Sequence, residues 1–430
     1  MKKKQNKYRK ASELPLVAVD MGSHSVRAMA VQRVGEDLFR ILGVEECSER
    51  PKAIANGVIR QSYDAAYALN RALTLLANRI GVTEIPTAFV CLGGMSMGVV
   101  EVKSHRDQVR KRAISAQLLE EMQTECKQKI EAHNSGAAVL GVIPSFFLLD
   151  GDRVEDTEGR YATVLEGHYS AFYGRKVLET NVKDSFLQAK RNFEHAFVRP
   201  DVLLSVFATE DGRDLLDNGC AILDMGHQTT TLTIYKGNEY ICNKVVAQGS
   251  GDITRFLEQQ GVTAKMAETL KTRYGYASAG QVEKNLTLKI PAAPEIGGTF
   301  HLTSEELADT IEEKLSEILS PLLQELNTYA ERINTLYITG GGSMLCGVDD
   351  YIQKRTPVRV RYGNHSRLLT ADTPEQYFAP NYTSLVGTVL LGQDYRDTHG
   401  DKMVQQHGFI DKITTMMVDI FSANEELQPE

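Results

Sequence analysis

The stretch Cys220-Ala-Ile-Leu-Asp224-Met-Gly226-His-Gln-Thr-Thr-Thr-Leu-Thr-Ile-Tyr235 decides how this chain is read. Residues 220–223 are an apolar run with the length of a buried strand, and 229–235 alternate as a second strand. Between them stand Asp224, Gly226 and small polar residues. A tight hairpin of this kind lines up backbone N–H groups at its tip, a concavity suited to phosphate. A carboxylate beside it can hold, through water, the metal ion that accompanies nucleotide phosphates. Asp-x-Gly also occurs in ordinary turns, where the carboxylate only caps its own loop.

The design occurs twice. Leu16-Val-Ala-Val-Asp20-Met-Gly22-Ser-His-Ser-Val26 is again an apolar strand, Asp-Met-Gly, small polar residues and an alternating strand. Each copy is followed later by an apolar run ending in glycines, 88–92 into Gly93-Gly94 and 336–339 into Gly340-Gly341-Gly342-Ser343. Glycine lets the backbone approach a ligand closely. Two half-domains, each with a phosphate hairpin and a glycine turn, form a clamp for a nucleotide.

At this point the chain resembles the actin/Hsp70/sugar-kinase ATPases, with the Asp20 hairpin as phosphate 1, the Asp224 hairpin as phosphate 2 and 340–343 as the adenosine motif. Within that superfamily it is similar to the bacterial FtsA family. Residues 143–151, beginning Ile-Pro, look like that family's Ile-Pro strand, and 271–275 like its basic stretch ahead of subdomain 2B. The likeness spans about residues 14–421. It implies an α/β, actin-like ATPase fold of two duplicated halves around a nucleotide cleft, each half with an added small subdomain. The divisions expected are a basic tail over 1–13; subdomain 1A over 14–98, 182–217 and 375–395; an inserted subdomain 1C over 99–181; 2A over 218–261 and 331–374; 2B over 262–330; a linker over 396–407; and an amphipathic helix over 408–424.

The resemblance also assigns residues. Asp20 and Asp224 would hold Mg2+ through water; Gly22, Ser23 and Ser25 would meet the phosphates of ATP from one side, and Gly226, Thr229 and Thr230 from the other. Gly340, Gly341 and Gly342 would face adenine and ribose, with Arg273 over the base. The sequence departs from the family where His227 and Gln228 replace two glycines of phosphate 2, and His24 is unusual in phosphate 1. Side chains there crowd the approach of backbone to phosphate. Weakened nucleotide binding, and at most a slow ATPase, is expected.

Composition bounds the rest. A net charge of −8 argues against wrapping nucleic acid. The six cysteines are scattered, with no C-x-x-C, and read as reduced thiols of a cytosolic protein rather than zinc ligands or disulfides. The first ten residues carry six basic side chains and no acid; they read as a solubilising tail or a surface for anionic lipid. No apolar run reaches the length of a membrane span.

Elsewhere, apolar spacing over 63–80 gives a helix stopped by Gly81. A short strand is expected at 99–102, a helix at 184–196 and a strand at 202–206. Gly249-Ser-Gly-Asp252 ahead of a helix either leaves N–H groups free for an anion or is capped by Asp252. Thr303 and Glu306 form a capping box for a long helix, which Pro321 should kink. A helix is expected over 344–354 and a last core helix over 382–391.

At the C-terminus, Phe409, Ile410, Ile413, Met416, Met417, Ile420 and Phe421 fall on one helical face, which reads as a membrane anchor or as a face docked on a partner. Six acids against two lysines over 401–430 weaken attraction to anionic lipid. One tail therefore binds marginally and many along a polymer bind through avidity. The family resemblance implies self-association, docking of the C-terminal tail peptide of the tubulin-like FtsZ, later division proteins on subdomain 1C, and peripheral attachment to the cytoplasmic side of the inner membrane at the septum. Two other classes share the motifs: a degenerate actin-like platform of a secretion or pilus machine, and a small-molecule kinase.

Overall fold

A computed structural model describes residues 15–398, apart from 51, 96, 134, 135, 155, 156 and 213. The basic N-terminal segment and the amphipathic stretch 408–424 lie outside the described residues.

Two five-stranded sheets carry the fold. In the first, Leu16–Met21, Val26–Gly35 and Leu38–Cys47 form an antiparallel meander. On its other side Leu16–Met21 runs parallel to Thr87–Leu92, which runs parallel to Asn192–Val198. The second sheet repeats this order strand for strand. Cys220–Met225, Thr230–Lys236 and Glu239–Val246 form the meander; Thr335–Thr339 and Arg359–Tyr362 form the parallel side. Hairpin registers coincide as well: Asp20 lies opposite Arg27 as Asp224 lies opposite Thr231. The repeat visible in two turns is thus the duplication of a whole sheet.

Strand parity aims the two aspartates. Successive side chains point to opposite faces of a sheet. Val17, Val19 and Met21 pack into a core with the helices Ser62–Ile80 and Val177–Gln188, whereas Leu16 and Ala18 face the core shared by both sheets. Likewise Ala221, Leu223 and Met225 face the long helix Ser304–Thr328, and Cys220 and Ile222 face the shared core. Asp20 and Asp224 have the parity of the shared side and stand at its end, between the halves. That core is filled by Arg199–Asp211 and by the helix over 383–398, through Leu203, Phe207, Leu385 and Val389.

Two smaller units sit beside the sheets. Gly98–Ala113, Tyr161–Arg175, Ala137–Leu149 and Asp152–Val154 form a four-stranded sheet, with Ala116–His133 packed on it through Met122 and Cys126. In the second half, Ala264–Tyr274, the hairpin Thr287–Pro291/Thr299–Thr303 and Ser304–Thr328 pack together. The capping box is formed: the Glu306 N–H donates to Thr303 Oγ1 at 3.2 Å, and the Thr303 N–H to Glu306 Oε2 at 2.8 Å. The helix runs on through Pro321, with Leu307, Ile311, Leu315, Ile318, Leu322 and Leu326 buried.

Several local expectations are corrected. The helix expected at 184–196 is Val177–Gln188, followed by strand Asn192–Val198. Lys190, in the left-handed region at φ 55°, turns the chain where no glycine signals a stop. Residues 202–206 are helical; Pro200 in the first turn of Arg199–Asp211 opens that helix. The strand expected at 99–102 runs over all of Gly98–Ala113, held by pairing with Tyr161–Arg175 although its outer half is polar and Val109 is 97% exposed. After Gly340 a 3-10 turn, Gly341–Met344, precedes the short helix Val348–Gln353. Residues 396–398 continue the last helix instead of opening a linker, and Arg396 pairs with Glu194 at 2.5 Å.

Candidate functional site

The two hairpin tips face each other across a cleft of about 290 Å³. Both hairpins close with the same bond: the Gly22 N–H donates to the Ser25 carbonyl at 3.1 Å and the Gly226 N–H to the Thr229 carbonyl at 2.8 Å. Of the residues expected to form the site, Asp20, Gly22, Ser23, Ser25, Asp224, Gly226, Thr229, Gly340 and Gly341 line the cleft. Three others do not. Thr230 is buried with its hydroxyl on the Gln248 carbonyl at 2.9 Å, Gly342 is buried behind the turn against Met225, and Arg273 is exposed outside the lining.

Gly340 has a structural reason to be glycine. It sits at φ 82°, and a Cβ there would stand 2.4 Å from Asp224 Oδ1 and 2.6 Å from the Met225 carbonyl. The turn therefore presses directly on the Asp224 hairpin.

Sequence reasoning missed the central residue. Arg199, first residue of its helix, puts its guanidinium between the aspartates, with Nη2 2.5 Å from Asp20 Oδ1 and Nη1 3.6 Å from Asp224 Oδ2. The Ser384 hydroxyl donates to the other Asp20 oxygen at 3.0 Å. Gly93 makes room for the arginine, since a Cβ there would lie 2.7 Å from Arg199 Nε. The only signal in sequence is an Arg-Pro pair at the carboxyl end of a parallel strand, where such sheets place their ligand-binding groups.

The electrostatics follow from this arrangement. Burial works against charge on Asp20, but Arg199 overcomes it and holds the carboxyl below the usual range. Burial pushes Asp224 up, with only partial relief from the more distant guanidinium. Burial also opposes charge on Arg199, yet the two carboxylates stabilise its charged form. The lining carries three cations, Arg27, Arg199 and Lys271, and three acids, Asp20, Asp224 and Glu268, so the cleft is formally neutral on its own.

The residues that replace glycine reach across the cleft. The rings of His24 and His227 lie 4.9 Å apart, centroid to centroid. Burial and the neighbouring His24 lower the His227 pKa to about 4, so it is neutral at pH 7. Gln228 Oε1 accepts the Asn56 N–H of the first half at 2.9 Å. Neither His227 nor Gln228 takes a positive φ, so the turn is unstrained without glycine.

The helix Ser250–Gln259 is spoken for. Its Ser250 and Gly251 N–H groups donate to the carbonyls of Gly226 and His227 at 2.9 and 2.7 Å, and the Gly249 N–H to Asp252 Oδ2 at 2.8 Å. Of the two roles open to this segment, capping is the one formed, and the donors that would meet an anion are engaged by the phosphate-2 hairpin itself. Beside it Lys271 is buried and donates to the Ser250 carbonyl at 3.0 Å and to Thr254 and Glu268 at 2.8 Å.

Tested against these residues, a nucleotide and its metal divide. The glycine turn at Gly340 and the two hairpin tips retain the shape that receives a nucleoside and phosphates. The place of the metal does not fit a hydrated divalent ion, because the Arg199 guanidinium holds both carboxylates that would bind it. Among the described residues no group of three or more His, Cys, Asp or Glu side chains is placed to ligate a metal.

Two duplicated sheets with facing Asp-Met-Gly hairpins define a protein of the actin-like ATPase fold. Solved structures of that fold agree: the PilM-PilN type IV pilus biogenesis complex (TM-score 0.62, 15% identity, 88% of this chain and 99% of that one) and MreB 5 of Spiroplasma citri bound to AMPPNP (TM-score 0.51, 10% identity, 90% and 99%). The family model "Cell division protein FtsA" matches residues 221–387. Among curated relatives, the cell division protein FtsA of Streptococcus pneumoniae is 24% identical over 80% of this chain and 74% of its own length. Those of Bacillus subtilis (21%; 87% and 82%) and Neisseria meningitidis serogroup B (22%; 86% and 88%) match at similar levels. Over most of its length the chain is thus similar, at low identity, to FtsA proteins.

Proposed function

We propose that this chain is an actin-like adaptor of bacterial cell division that self-associates and couples FtsZ to the inner membrane. The observation that carries the reading is the pair of Asp-Met-Gly hairpins, matched in register and facing across one cleft, in a chain whose curated relatives are cell division proteins. Adenine nucleotide is the ligand of that cleft, received by the tips at 22–25 and 226–229 and by Gly340 and Gly341, with hydrolysis slow or absent.

FtsZ, through its tail peptide, docks on the unit 262–330, where Leu286, Ile296 and Phe300 expose large apolar side chains. Later division proteins engage 99–181. Attachment to the cytoplasmic face of the membrane falls to the amphipathic stretch 408–424; no described helix is long and apolar enough to cross a membrane. The test is flotation of the full chain with liposomes and FtsZ, against a 1–400 truncation and the pair Ile413→Asp, Phe421→Asp. Loss of lipid binding in both altered chains is expected; a truncation that floats like the full chain sinks the anchor. A folded chain lacking 262–330 that still retains FtsZ sinks the docking assignment.

A second reading, a degenerate actin-like platform of a pilus or secretion machine, is favoured by the side chains of the protein that join the halves across the cleft. Calorimetry with ATP separates the two: absence of binding favours the platform.

A further inference from the structure

We propose that Arg199 is the resident cation of the cleft, serving Asp20 and Asp224 in place of a hydrated divalent ion, so that the cleft takes its nucleotide without a metal. An actin-like cleft brings two carboxylates together from opposite halves, and two such groups can both ionise only with a positive charge between them. Here the chain supplies it. The guanidinium lies 2.5 Å from one carboxylate and 3.6 Å from the other, with two different nitrogens turned to the two halves. Arginine cannot give up its charge at any working pH.

The placement is built into the fold. Arg199 is fixed to the end of a parallel strand and the start of a core helix, Pro200 presets that helix start, and Gly93 leaves the volume its side chain fills. Ser384 donates to the second oxygen of Asp20, so that each oxygen of that carboxylate already accepts from a side chain of the protein. Lys271 and Arg27, the other cations of the lining, are engaged by Glu268 at 2.8 Å and Glu46 at 3.0 Å. The balance of three cations and three acids holds without an added ion, and a divalent cation entering beside Arg199 would meet its charge at short range.

The metal part of this inference is independent of the nucleotide reading; only the ligand rests on it. The experiment therefore has two arms, both on the full chain. In the first, Mn2+ is titrated without nucleotide and free Mn2+ is read by electron paramagnetic resonance. The parent chain should show no site that depends on Asp20, while Arg199→Ala should gain a site that Asp20→Asn or Asp224→Asn removes again. A parent site abolished by Asp20→Asn, or a folded Arg199→Ala chain without a gained site, overturns the proposal.

In the second arm, affinity for a fluorescent ATP analogue is measured in MgCl2 and in EDTA. Equal affinity in the two buffers is expected, and a loss of about tenfold in EDTA, about 1.4 kcal/mol, overturns the proposal. Failure to bind in either buffer removes the nucleotide reading alone, and the Mn2+ arm on the parent chain then decides the role of Arg199. That arm also decides if Arg199→Ala does not fold.

Discussion

Asp20 and Asp224 hold the same register position in two copies of one sheet and share one counter-ion, yet their carboxyls are displaced in opposite directions. The asymmetry comes from distance: the guanidinium of Arg199 hydrogen-bonds Asp20 and stands 3.6 Å from Asp224, long for a hydrogen bond. Asp20→Asn should therefore cost about 2–3 kcal/mol, because it leaves a partly buried arginine with a single distant partner. Asp224→Asn should cost less than about 2 kcal/mol. Urea unfolding of the two chains checks the order. Since the folded Asp20 value lies below its ordinary 3.8, its contribution is present above that pH and is lost as pH falls through the folded value. Equal costs would remove the asymmetry.

His227 gives the cleft a pH dependence. Its folded value of about 4 lies below the ordinary 6.5, so the unfolded chain binds more protons between those limits and stability rises with pH across them. Below about pH 4 the contribution is gone. The groups facing it are His24, Lys271, Arg255 and Glu268, of which only Glu268 favours the charged form. His227→Asn should flatten the stability curve between pH 4 and 6.5 by about 1–3 kcal/mol, read as urea midpoints. An unchanged slope would place the acid limb on other groups.

What the sequence made legible was local and repeated. The Asp20 and Asp224 hairpins, the capping box at Thr303 and the buried face of Ser304–Thr328 all write themselves in neighbouring residues, and all are formed. Arg199 is different. Its partner Asp20 is 179 positions away, and the Arg-Pro pair, its one local sign, marks a helix start without telling a cleft cation from a surface one. The same holds for the left-handed turn at Lys190, which no glycine announces, and for the polar half of Gly98–Ala113, whose strand character comes from its partner strand. His227 and Gln228 were legible as departures, but their meaning needed the opposite half: His24 and Asn56.

Between the halves, Tyr240 donates its hydroxyl to Asp201 Oδ1 at 2.9 Å. Burial pushes the Asp201 carboxyl up to about 6, with the Tyr240 bond acting against that rise. Here the native state binds more protons from the ordinary 3.8 up to about pH 6, so this group's contribution falls as pH rises through that window. Tyr240→Phe removes a donor from a carboxylate that is ionised above it. The loss should be about 1.5–3 kcal/mol at pH 8 and smaller at pH 4.5. A cost independent of pH would show that packing, not the hydrogen bond, sets it.

Gly57 and Gly94 meet backbone to backbone beside the cleft. A Cβ on Gly57, at φ 71°, would lie 2.5 Å from the Gly94 Cα. Gly81, at φ 73°, ends Ser62–Ile80 with nothing within 4 Å of the same position. The two sites share a positive φ and differ in the space around them. Gly81→Ala should cost about 1–2 kcal/mol, the left-handed penalty alone. Gly57→Ala should exceed it by a further 1–3 kcal/mol, roughly the cost of overpacking. Thermal or urea unfolding of the pair measures the close approach by difference, and equal losses would mean that the loops separate at no cost.

Restoring glycine at both departures, His227→Gly with Gln228→Gly, removes the side chains that cross the cleft, the ring against His24 and the acceptor for the Asn56 N–H. Nucleotide affinity should rise, since the hairpin tip can then approach phosphate with bare backbone. The gain should stay below about tenfold, or about 1.4 kcal/mol. Two features survive the substitution. The Ser250 and Gly251 N–H groups remain engaged, because their acceptors are the main-chain carbonyls of residues 226 and 227 and not the imidazole. Arg199 also still spans the two carboxylates. Fluorescence titration of an ATP analogue against the parent and the double variant provides the measurement. A gain of a hundredfold or more, far above about 1.4 kcal/mol, would make the side chains at 227 and 228 the whole of the barrier and leave the sealed helix start and Arg199 without influence on the ligand.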